Sequence, residues 1–284
     1  MAVLLRETPL CNGVGIPSPL GDWEDVNFDM LALLVLTFFI GVAWAAQAHA
    51  FSTQQERWLK VQLKDLTSQT EQLRSSNRRA RRLVRKEIKD PALRATLTRV
   101  ADELGLEATR FVIAGEPGDT NLTDFSGAFI YITPETVKKH PDRLRFSMAH
   151  EYAHLALGHG LTTLKLLFLE AANECYACVR QKDPVDAALD FKQARPEFAA
   201  AISREQEKEA DAYATRLLAA KGMVLNYPQV MSDLHDGTCD DVPQGTHPSC
   251  NERLKGVYSV LNKEFYGLLT IEDQVRMVFS GVLD

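Results

Sequence analysis

The residues best spaced for chemistry lie in the string Met148-Ala149-His150-Glu151-Tyr152-Ala153-His154. On a helix, His150 and His154 fall on one face, one turn above the other. Each can then offer a neutral ring nitrogen to the same metal ion. Glu151 follows the first histidine, where its carboxylate can reach a water on that metal and take its proton. Met148, Leu155 and Leu157 are apolar, so the helix reads as buried. The same string also arises by chance, so it needs partners elsewhere in the chain.

One partner stretch is Glu207-Lys208-Glu209-Ala210-Asp211, within residues 199–220, which hold neither Gly nor Pro and read as a helix. Glu207 and Asp211 share a face. An oxygen from this separate helix would complete a His-His-Glu set and leave a fourth position for water. Asp211, one turn along, could accept a hydrogen bond from the ring N–H that His150 has left after ligation. A solvated charged face is the competing reading, because Arg204, Glu205, Lys208 and Glu209 surround the pair. Another partner stretch is His247-Pro248, followed by Arg253.

Together these stretches resemble the gluzincin metalloproteases of the HtpX, Oma and CAAX-prenyl-protease type, over roughly residues 91–261. That family carries His-Glu-x-x-His, then Glu-x-x-x-Asp, then His-Pro with an Arg a few residues on. The resemblance implies one Zn2+ held by His150, His154 and Glu207, with Glu151 as general base. It lifts His247 from a turn histidine to a candidate for stabilising the tetrahedral oxyanion or filling the open position at rest. Arg253 could anchor His247 or Asp211, or form a plain surface salt bridge. The implied activity is hydrolysis of peptide bonds in protein substrates, in a membrane-protein quality-control setting. Metzincins do not fit, since they place Gly and His where this chain has Leu157 and Gly160. His159 falls off the ligand face and reads as a packing or capping residue. Two other classes stay open: an inactive membrane-tethered scaffold, and a coiled-coil adaptor whose globular part caps a stalk.

The elements that must position these residues follow from the rest of the chain. Its 284 residues are 45% hydrophobic and 25% charged, enough for one sizeable core plus extra elements. The net charge of −6 argues against a general nucleic-acid binder. The expected class is α+β, mostly helical: a zincin-like domain with a small sheet over residues 90–284, after one transmembrane helix and a helical stalk. Residues 1–29 read as a flexible acidic tail. Residues 30–50 are free of charge and near the roughly 20 needed to cross a bilayer. A buried helix and a secretory signal ending at Ala48-His49-Ala50 compete with that span, although a signal wants a basic start. Arg57, Lys60 and Lys64 after the span, against Arg6 before it, place the domain in the cytoplasm; cleavage near Ala50 would instead export it.

Residues 54–89 read as one long helix with a heptad seam through Leu59, Leu63, Leu66, Thr70, Leu73, Asn77, Ala80 and Val84. That stalk could pack on itself or pair in a homo-oligomer. Its basic block of Arg78, Arg79, Arg81, Arg82, Arg85, Lys86 and Lys89 reads first as a solvated face. Asp90-Pro91 starts a helix to Leu104. Strands are expected at residues 110–114 and 127–133, the second bordering the substrate cleft in the resembled family, with a loop at 115–125. Asn121-Leu122-Thr123 matches a glycosylation triplet or is chance. Gly222 should stop the helix of Glu207, and residues 228–234 should form a short helix. Pro248 or Ser249 should open another to about Asn262, and a last helix should run from Thr270 to Phe279. The five cysteines, an odd number, fit a reducing compartment. Cys175 and Cys178 read as packing residues on one helix face, Cys239 and Cys250 do not suit a zinc knuckle, and Cys11 defaults to a free thiol.

Overall fold

The structure is a computed structural model that describes residues 51–76, 87–115, 121–123, 129–235, 237, 239–243 and 245–269. These residues fall in one compact unit. The acidic tail, the apolar segment 30–50, most of the basic block and the helix expected after Thr270 lie outside the described residues.

The element order is α1 (Thr53–Ser76), α2 (Pro91–Leu104), β1 (Phe111–Ile113), β2 (Leu122–Thr123), β3 (Ile130–Ile132), α3 (Pro134–Lys138), α4 (Pro141–Ala156), α5 (His159–Glu174), α6 (Tyr176–Val179), α7 (Pro184–Ala194), α8 (Pro196–Ala220), α9 (Tyr227–Leu234) and α10 (Cys250–Phe265), with two short 3-10 turns. Mostly helical with one small sheet, it is the α+β arrangement the sequence implies. The sheet has strand order β1-β3-β2, with β3 parallel to β1 and antiparallel to β2. Thus β3 is central, and the edge nearest α4 is β2, inside the stretch read from sequence as a loop. Asn121 of the glycosylation triplet accepts from the Thr133 backbone N–H at 3.1 Å and ties β2 to the end of β3.

Local chemistry sets the helix ends. Asp90 caps α2 through the backbone N–H groups of Ala92 and Leu93, with Pro91 in the first turn. Residues 87–90 are not helical, and Ile88 N–H donates to the Ile113 carbonyl at 2.8 Å beside β1. The long helix expected over residues 54–89 therefore does not reach Lys89. Gly158 has φ +64°, so the chain can leave α4 and enter α5 at once, with the two axes bent by 50°. A Cβ there would meet nothing within 4 Å, so the requirement is the left-handed backbone and not space. Gly222, also left-handed, ends α8. Ser249 opens α10 in a capping box with Glu252.

Among the described residues two large apolar cores result, beside a small cluster of Val112, Ala114 and Tyr131. The first packs the sheet against α2, α4, α8, α9 and α10 through Leu97, Ile113, Ile132, Met148, Leu218 and Leu261, all fully buried. The second packs α1 on α5 and α7 through Leu59, Leu66, Leu164, Phe168 and Ala188, with Ile202 of α8 at its edge. From Leu59 to Thr70 the seam of α1 is thus covered within the chain, and a dimer through that part would have to expose Leu59 and Leu66. Among the described residues no single helix is long and apolar enough to cross a membrane.

Candidate active site

Helix α4 carries His150, Glu151 and His154; α8 carries Glu207 and Asp211; α10 carries Arg253; and the loop before α10 carries His247. The packing of α8 between α4 and α10 brings all seven together. His150 Nε2 and His154 Nε2 lie 3.1 Å apart. Glu207 Oε2 is 3.2 Å from the first and Glu207 Oε1 is 3.3 Å from the second. Ligands about 2.0–2.1 Å from a tetrahedral zinc sit about 3.3 Å from one another, so these edges match such a set. Glu207 Oε2 is buried and makes no hydrogen bond, although His247 Nδ1 lies 3.0 Å away. An orphaned carboxylate oxygen facing two imidazole nitrogens suits a cation better than the protein groups alone, and the donor set suits zinc.

The other ring nitrogen of His150, Nδ1, is 2.8 Å from Asp211 Oδ1. Arg253 donates through Nε to Asp211 Oδ2 and through its terminal nitrogen to Oδ1, both at 2.7 Å. Asp211 is 2% exposed and Arg253 5%. A buried carboxylate is tolerable here because its oxygens are shared by a guanidinium fork and an imidazole. Asp211 therefore joins both His150 and Arg253, and Arg216 on the same helix pairs with Glu264. Arg253 binds Asp211 and not His247.

Burial pushes the His150 pKa down, but the Glu207 and Asp211 carboxylates outweigh it and lift it to about 10 in the metal-free protein. Burial would raise Glu207, yet His150 and its neighbours hold it well below the ordinary carboxylate range. Asp211 is likewise held down against burial, by Arg253 and then His150.

The family follows from this frame. The model of peptidase family M48 matches residues 87–260, more than half of the chain. This chain belongs to peptidase family M48. No curated protein and no solved structure matched it. M48 metalloproteases use zinc, in keeping with the His150, His154 and Glu207 cluster.

The M48 site also contains residues that the sequence motifs leave out. Thr123 of β2 places its hydroxyl 2.8 Å from Glu151 Oε2 and 2.6 Å from the Glu151 carbonyl. It ties the edge strand to the candidate base. His159 is buried, with Nδ1 2.8 Å from His154 Nδ1 and Nε2 3.1 Å from Glu209 Oε2. It touches a ligand from behind, so it does more than pack or cap. The cysteines differ too. Cys175–Cys178 and Cys239–Cys250 are disulfides, with Cα atoms 5.2 Å and 4.9 Å apart. The first pair is half-buried and exposed, not core packing. The second joins the loop of His247 to the first residue of α10.

Proposed function

We propose that this M48 chain is a zinc-dependent endopeptidase that hydrolyses peptide bonds in protein substrates. The convergence of His150 Nε2, His154 Nε2 and the Glu207 carboxylate, with Glu151 next to His150 in the chain, carries this reading. When bound there, zinc would polarise the scissile carbonyl and lower the pKa of a bound water to about 7. Glu151 is not part of the ligand cluster, so its carboxylate stays free to act as the base that takes the proton of the attacking water and passes it to the leaving amine. Thr123 holds one of its oxygens through the hydroxyl contact at 2.8 Å and restricts its swing. His247, on a loop and close to Glu207, serves as the oxyanion donor or as a resting occupant of the fourth position. An extended peptide would pair with β2, the sheet edge beside α4. Purified protein should carry about one zinc per chain and cleave casein. A chelator should abolish cleavage and added zinc should restore it. Zinc uptake without cleavage would favour the inactive scaffold.

We further propose that residues 30–50 take the domain to a membrane, as an uncleaved span or as a signal cut after Ala50. The two disulfides support a domain facing an oxidising compartment, whereas the charge bias after the span favours the cytoplasm. Sequencing the mature N-terminus separates span from signal. A thiol count separates the compartments: four free thiols at positions 175, 178, 239 and 250 in protein isolated without reductant would restore the cytoplasmic placement.

A further inference from the structure

We propose that His159 and Glu209 are positioning residues for the second metal ligand, forming a relay His154–His159–Glu209 that fixes which nitrogen of His154 is free to bind zinc. The inference rests on the metal-site reading above. Gly158 turns the chain so that the first residue of α5 folds back on α4, and the His159 ring stands edge-on to His154 with centroids 4.8 Å apart. Helix α8 holds it there. The His159 carbonyl accepts from Gln206 Nε2 at 3.2 Å, and Gln206 Oε1 accepts from the Thr163 hydroxyl at 2.8 Å.

The proton count leaves one arrangement for a ligated His154. Its Nε2 points at His150 and Glu207, and must present a lone pair to bind a metal. Its one proton then sits on Nδ1. That nitrogen is 2.8 Å from His159 Nδ1, a distance that requires one donor and one acceptor. His159 Nδ1 must therefore be the acceptor, which leaves the His159 proton on Nε2. There it donates to Glu209 Oε2 at 3.1 Å. Glu209 is half exposed, so its charge stays solvated. His150 has a direct carboxylate behind it in Asp211. His154 has the same kind of support delivered through an intervening ring.

The test uses the full chain. His159→Leu removes the acceptor while keeping an apolar side chain in the buried space. His159→Asn can place an amide oxygen near the former Nδ1 position and accept the same bond. Zinc affinity by chelator competition should fall about 10–100-fold for His159→Leu, the usual effect of losing such a partner. His159→Asn should recover most of that loss. In zinc-loaded wild type, imidazole 15N shifts should show His159 protonated on Nε2 alone. Unchanged zinc affinity in a folded His159→Leu protein would overturn the relay, and so would equal losses in both variants. If His159→Leu does not fold, the 15N measurement decides, and a proton on His159 Nδ1 overturns the proposal. A wild-type chain that binds no zinc would instead overturn the metal site itself.

Discussion

The two large apolar cores among the described residues differ in what they enclose. The core between α1, α5 and α7 is lined by Leu, Ala, Phe, Val and Ile, and Thr70 is a buried polar residue on α1. The Thr70 hydroxyl is satisfied by the Leu66 carbonyl one turn back at 2.7 Å. The core around the sheet borders a buried charged network of His150, Glu151, Glu207, Asp211 and Arg253. Burying a Leu contributes about 1.5–3 kcal/mol, whereas a buried ion pair is weak evidence for stability. Both cores hold the chain together through apolar burial. The one around the sheet also holds a set of charged groups in a geometry that water would otherwise dissolve.

Breaking the network should have the largest effect. Arg253→Met leaves Asp211 buried without its guanidinium, which should cost about 3–5 kcal/mol of stability. It should also weaken zinc binding, because His150 loses a fixed acceptor. Equilibrium unfolding of the metal-free protein and chelator titration measure the two effects. A variant as stable as wild type with unchanged zinc affinity would mean that the network is incidental.

Breaking the apolar core sharpens the contrast. Leu66 is fully buried in it. Leu66→Ala should destabilise by about 2–5 kcal/mol and leave zinc affinity unchanged. If zinc affinity falls with it, the two regions are coupled and the division drawn here fails.

The network, unlike the apolar core, should also respond to pH when metal-free. His150 has its pKa lifted from 6.5 to about 10 in the folded state. A raised pKa contributes stability that is fully present below about pH 6.5 and is lost as pH rises through about 10. The thermal midpoint of metal-free protein should therefore fall between pH 7 and 10. Zinc-loaded protein should fall less over that window, since the metal takes the place of the proton. Equal slopes with and without zinc would contradict the assignment.

The same contrast explains what was legible in the sequence. His150 with His154, and Glu207 with Asp211, stand out because four-residue spacing on a helix fixes a shared face whatever surrounds it. The seam of α1 stands out equally, but periodicity says which face is apolar and not what covers it. The heptad pattern could not distinguish a self-standing stalk from the α5 and α7 helices that actually pack on it. Thr123 was hidden because a two-residue strand has no period to detect. His159 was hidden because its contact depends on the left-handed turn at Gly158, which takes it off the helix face on which spacing was judged. Cysteine pairing does not follow from spacing: Cys175 and Cys178 read as packing residues and Cys239 with Cys250 only as a poor zinc knuckle, yet both pairs are disulfides.

The most direct test of the account is Glu151→Gln in the full chain, with zinc content and casein cleavage measured on the same preparation. The substitution keeps the shape of the side chain and removes the base, which lies outside the ligand cluster of His150, His154 and Glu207. The account predicts about one zinc per chain, as in wild type, and no detectable cleavage. A zinc-loaded Glu151→Gln protein that cleaves at the wild-type rate would contradict it.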